Sequence, residues 1–203
     1  MRLARRTLAL LLVLAFGACN RGDSPTIEVG DREPAGSSTT STTDPEEATT
    51  SSTSLVPTPL PATGTATPTR GYLAAVRIAS HDGFDRVVFE FEDAMPGYRV
   101  AMGTRPVTED GSGKTVEVKG AALLEVRLEN SGMARLQGEK VIPVYKGDRR
   151  VATEGEVVTE AVDAGDFEGV VTWVVGLKAA PAGVRVTTLS SPYRLVIDVS
   201  TKR

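Results

Sequence analysis

The sequence predicts an all-β domain, an antiparallel sandwich or barrel, behind a disordered polar tether. Three observations predict it. Apolar and polar residues alternate at period two in several short runs, the mark of half-buried strands. Gly, Asp, Asn and Pro separate those runs. No segment carries apolar residues at i, i+3 and i+4 over a useful length.

The chain opens with Arg2, Arg5 and Arg6, then an apolar run from Thr7 to Phe16. A spanning helix needs about twenty apolar residues, so this run reads as the core of a secretory signal. It ends in Gly17, Ala18 and Cys19, and Cys19 is the only cysteine of the chain. A lone cysteine makes no internal disulfide. The small-small-Cys ending resembles a bacterial lipobox. Residues 1–18 are then the signal peptide, and the thiol of Cys19 carries palmitate-type acyl chains. Two or three such chains hold a protein on a membrane, where one alone is marginal. The expected location is the extracytoplasmic side of the cell membrane.

Residues 19–70 form the tether. From Asn20 to Arg70 there is no aromatic residue, and from Ser37 to Thr69 there is no Lys or Arg. Ser, Thr and Pro dominate. Such a stretch cannot bury enough apolar surface to offset the entropy of ordering. Pro45, Pro57, Pro59, Pro61 and Pro68 favour extended backbone. A coil of this length spans about 40 Å, enough to lift a domain clear of a membrane.

Residues 71–203 hold every aromatic residue except Phe16 and make one ordinary domain. In chain order, "AAVRIAS" (74–80) and "RVVFEFE" (86–92) are strands, the latter with Val87, Phe89 and Phe91 on one face. "LLEVRLE" (123–129) opposes Leu124, Val126 and Leu128 to Glu125, Arg127 and Glu129. "EVVTEAV" (156–162) follows. "GVVTWVVGL" (169–177) is apolar on both faces around Trp173 and reads as an interior strand. "GVRVTT" (183–188) and "RLVIDVS" (194–200) close the chain. Residues 102–113 and 130–155 read as long loops, the second with room for a hairpin at "VIPVY".

Chemical motifs are sparse. "DGSGKT" (110–115) resembles a phosphate loop. The glycine that the full motif needs five residues before Gly113 is Thr108, however, and no helix follows. A hairpin turn fits better. His81 is the only histidine, which leaves no second imidazole for a zinc site and no cysteine once Cys19 is acylated. No metal or cofactor is expected. Carboxylates such as Glu90, Glu92, Asp93, Glu154 and Glu156 fall on polar strand faces or in turns, where charge stays solvated. The chain has 23 Lys and Arg against 26 Asp and Glu, with no basic stripe interleaved with aromatics, which argues against nucleic acid.

The runs "SHDGFDRVVFEFED", "PGYRV", "GAALLEVRL", "EVVTEAVDAGDFEGVVTWVVGL" and "VRVTTLSSPYRLVIDV", in that order, resemble the AMIN-like domain of actinobacterial lipoproteins. The resemblance implies an antiparallel β-sandwich related to the AMIN domain. In septal cell-wall amidases that domain directs an attached catalytic domain to peptidoglycan. Here it implies binding or localisation to peptidoglycan or another wall glycan, with no catalysis. The alternative is a protein-interaction module that scaffolds or regulates a cell-wall enzyme. Two clusters mix exposed aromatics with hydrogen-bonding side chains, as glycan sites do. One is His81, Asp82, Phe84, Asp85 and Arg86. The other is Asp166, Phe167 and Glu168. Each precedes a strand, so the two are expected at one end of the sandwich, where loops gather. A structural role competes: the two phenylalanines plugging the core ends, and Asp85 pairing with Arg86.

Overall fold

The computed structural model describes residues 56–200, and its regular elements are all strands. They are β1 (Ala62–Gly64), β2 (Gly71–His81), β3 (Phe84–Glu92), β4 (Gly97–Met102), β5 (Ala122–Glu129), β6 (Ser131–Gly132), β7 (Ala134–Gln137), β8 (Lys140–Pro143), β9 (Arg150–Ala152), β10 (Val158–Phe167), β11 (Val170–Leu177), β12 (Gly183–Ser190) and β13 (Tyr193–Ser200). Each alternating run falls on one of these strands.

Two sheets face each other. One has six strands in the order β1-β4-β5-β11-β10-β9. The other has five, in the order β12-β13-β3-β2-β6. Neighbours pair antiparallel, apart from the short parallel contact of β2 with β6. The inward residues of both sheets form one core. Val87, Phe89, Phe91, Leu195, Ile197 and Val199 come from the five-stranded sheet. Leu124, Val126, Leu128, Val171, Trp173 and Val175 come from the six-stranded one. Trp173 is fully buried, edge-on to Phe89 at 6.1 Å and to Tyr145 at 5.6 Å. β11 lies between β5 and β10, and its sequence is apolar on both faces because the main core packs on one and a second small core on the other.

Its second apolar face has a cover of its own. Residues 103–121 fold back over the outer side of the six-stranded sheet. There Val107 and Val118 pack on Leu123, Val162, Ala164 and Val174 as a second small core. Main-chain bonds stitch this cover down: Gly103 N–H to Leu123 O, Asp110 N–H to Ala164 O, and Ala121 N–H to Leu177 O. "DGSGKT" lies in its tip as a turn. Gly113 N–H bonds back to Glu109 O, and Thr108 bridges Thr115.

The expected tether boundary at residue 70 needs correction. Thr58 donates its N–H to Val184 O at 2.7 Å and accepts from Val186 N–H at 3.0 Å on its hydroxyl. Leu60 packs on the core, Ala62 is buried, and β1 pairs with β4. A segment poor in large side chains still supplies main-chain bonds to a sheet edge, where proline's missing N–H does no harm. The folded body therefore includes residues 56–70. The expected signal peptide, Cys19 and the rest of the expected tether lie outside the described residues. The long loop at 130–155 holds β6, the β7–β8 hairpin and β9.

Candidate functional site

The first predicted cluster is split by strand alternation. Asp82 and Gly83 make the β2–β3 turn, with Gly83 at φ 82°, where a glycine is favoured. His81 and Phe84 pair across the hairpin on its outer face. Their rings stack at 4.8 Å and 15°, and the guanidinium of Arg86 lies 5.3 Å from the Phe84 centroid. Asp85 points the other way and is fully buried. Its Oδ2 accepts the N–H groups of Val157 (2.6 Å) and Val158 (2.8 Å). Burial pushes its pKa up. The N–H groups of Val158 and Val157, the Ser80 hydroxyl and the Glu156 N–H together outweigh burial and hold the carboxyl below its ordinary value. Asp85 is thus a structural residue, and it does not pair with Arg86.

The second cluster lies elsewhere. Asp85 bonds to the start of β10, whereas Asp166 and Phe167 end that strand and Glu168 follows in the turn to β11. Ten residues of strand cover about 33 Å, so the clusters sit at opposite ends of the sandwich. The expectation of one shared loop site is overturned. Asp166 accepts the Met133 N–H at 2.7 Å. Phe167 stays half exposed beside Gly111, and Glu168 takes a positive φ of 51°. These three shape a turn.

His81, Phe84 and Arg86 instead belong to a larger surface, the outer face of the five-stranded sheet. Register sets its rows. Arg185, Asp198, Arg86 and Ala79 lie side by side across β12, β13, β3 and β2. Thr187, Val196, Val88 and Arg77 form the next row, and Leu189, Arg194, Glu90 and Ala75 the one after. Glu92 and Tyr72 follow, with Arg135 of β7 reaching over the Tyr72 ring at 4.5 Å. Arg86 forks onto Asp198, Nε to Oδ1 at 2.6 Å and Nη2 to Oδ2 at 3.0 Å, and Arg185 Nη2 reaches the same Oδ2 at 3.0 Å. The fork to Asp198 raises the Arg86 pKa. Asp198 points outward yet is buried beneath the two guanidinium groups. Arg77 holds Glu90 at 2.5 Å. This surface offers aromatic rings at both ends and guanidinium donors between them.

Sequence reasoning missed Tyr72, Arg77, Arg185 and Arg194. Arg77, Arg185 and Arg194 stand at outward positions of their strands and Tyr72 precedes the first run, and only the order of the strands brings them together.

A concavity lies under the 103–121 cover, with a volume of about 200 Å³. Val107 and Leu123 floor it, and Asp110, Glu125, Arg127 and Thr172 rim it. Asp110 accepts from the Thr172 hydroxyl at 2.6 Å and faces Arg127 at 3.9 Å; Glu125 faces Arg99 at 3.6 Å. Among the described residues no group of three His, Cys, Asp or Glu gathers as a metal site would need.

Residues 71–201 match the sequence pattern of the AMIN-like domain, and the chain belongs to that family. AMIN-like domains are in general non-catalytic, wall-associated binding modules. No curated protein and no solved structure matches the chain.

Proposed function

We propose that this protein is a lipid-anchored, non-catalytic envelope protein that binds peptidoglycan or another wall glycan through the outer face of its five-stranded sheet. Acyl chains on Cys19 hold it on the extracytoplasmic side of the membrane, and the Ser/Thr/Pro tether gives the domain reach. The observation that carries the reading is the stacked row of His81, Phe84 and Arg86 on the outer sheet face. Sugars stack on such rings, and guanidinium groups bond to hydroxyls and carboxylates. Membership of the AMIN-like family supports it. Co-sedimentation of the detergent-solubilised protein with purified sacculi tests it. The wild-type protein should pellet, and Phe84→Ala should bind roughly fivefold more weakly, as loss of one stacking ring implies. Wild-type protein left in the supernatant at low and moderate salt would end the reading.

One observation favours the alternative, a module that scaffolds or regulates a wall enzyme. The β7–β8 hairpin turns Ala134, Leu136, Val141 and Pro143 to one face, and Leu136 and Val141 are largely exposed. Cross-linking in cells that captures a protein partner through this hairpin, with no retention on sacculi, would select it.

A further inference from the structure

The outer face of the five-stranded sheet carries more positive charge than the chain itself uses. Arg77, Arg86, Arg185 and Arg194 share this surface with three carboxylates, Glu90, Asp198 and Glu92, the last held by Arg135 of β7. Glu90 is taken by Arg77, and Asp198 is shared by Arg86 and Arg185. Among the described residues Arg194 has no ion pair, although Glu90 stands directly across from it. The Nε atoms of Arg194 and Arg185 are buried donors without an acceptor. Val88 and Val196 lie between these arginines, and Leu189, exposed, flanks Arg194. Apolar neighbours lower the local dielectric and strengthen any charge contact made there. The cationic surplus is local, since the whole chain carries a net charge of −3.

We infer that this face recognises an oxyanion of its ligand, a carboxylate or phosphate on an anionic wall polymer, through the guanidinium of Arg194. The inference rests on the reading of this face as the wall-binding surface and adds the chemistry that selects the ligand. A planar fork of N–H donors matches the two oxygens of a carboxylate or phosphate, which a neutral sugar lacks. Two sources supply such groups in a wall: phosphodiester polymers attached to it, and the carboxylates of peptidoglycan itself.

The test uses the full chain in detergent, as wild type, Arg194→Gln and Arg194→Lys, with equal thermal midpoints confirming intact folds. Binding is measured to native sacculi, to sacculi stripped of phosphodiester polymers with hydrofluoric acid, and to soluble tripolyphosphate, across a salt series. Arg194→Gln should weaken sacculus binding roughly tenfold, as loss of a charge-assisted contact does, and flatten the salt dependence. Arg194→Lys, which keeps the charge but not the fork, should fall between. Loss of wild-type binding on stripping identifies phosphate as the source; retention identifies carboxylate. If Arg194→Gln binds native sacculi as tightly as wild type, with the same salt slope, the oxyanion inference falls while the glycan reading stands. If wild type binds neither sacculus preparation, the glycan reading falls, and tripolyphosphate decides the rest. Binding that depends on Arg194 upholds oxyanion recognition, and binding that does not overturns it.

Discussion

Asp85, on β3 of one sheet, accepts the N–H groups of Val157 and Val158 at the start of β10 in the other, and so ties the two layers at one end of the sandwich. A charged acceptor on two buried donors is worth more than a neutral one. Asp85→Ala leaves both N–H groups buried and unpaired and should cost about 3 kcal/mol of unfolding free energy. Asp85→Asn keeps an acceptor and should cost about 1 kcal/mol. Denaturant titrations of the three proteins measure both.

The same carboxylate sets the acid limit of the fold. Asp85 is held below its ordinary pKa because its hydrogen bonds outweigh burial. Glu160 is held low in the same way: burial raises it, and Arg150 and the Lys119 N–H outweigh that. A depressed carboxylate stabilises fully above its unfolded-state pKa of about 4, and that contribution is lost as pH falls through the lower folded value. Thermal midpoints should therefore hold steady from neutral pH to about 5 and drop below about 4. The drop should be shallower in Asp85→Asn, and an equal slope would remove Asp85 from this role.

Gly176 marks where the cover meets the sheet. A Cβ there would collide with the carbonyl oxygen of Lys119 and lie 2.6 Å from the Thr159 hydroxyl. Gly176→Ala should lift residues 103–121 from the sheet and cost about 3 kcal/mol. Limited proteolysis should then cut that segment, which resists in the wild type, while the main core around Trp173 stays folded.

Trp173 is the only tryptophan, and it sits at the centre of the main core. Its emission should be blue-shifted, inaccessible to iodide, and shifted to the red in one step with unfolding. Trp173→Ala should destabilise by about 4 kcal/mol.

Much of this architecture is written in the alternation of the sequence. Phe89, Val126 and Ile197 all face inward as their period-two runs require, because a strand leaves its side chains no other choice of face. β4 is harder to read. Tyr98 and Val100 alternate with Arg99, but "AMPGY" has the composition of a turn that separates strands. β1 is hidden by composition: three residues in a Thr/Pro segment join a sheet through main-chain bonds, which leave no side-chain pattern. The site is half legible. His81, Phe84 and Arg86 share a face because they lie on one hairpin. Arg185 and Arg194 come from strands near the other end of the chain, and strand order is a property of the whole fold. Asp85 and Arg86 are neighbours in sequence, yet alternation sends them to opposite sides of the sheet.

The proposed membrane anchor has its own test. In cell fractionation, the wild-type protein should follow the membranes and Cys19→Ala should not. Membrane retention of the variant would contradict lipidation at this thiol.

The central claim is that the outer face of the five-stranded sheet is the wall-binding surface, and hydroxyl-radical footprinting of the protein with and without sacculi tests it most directly. Oxidation of Tyr72, His81, Phe84 and Leu189 should fall when sacculi are present, while Phe167 and Leu136 react as before. Protection centred on Leu136 and Val141, or on Phe167, with Phe84 unchanged, would contradict it.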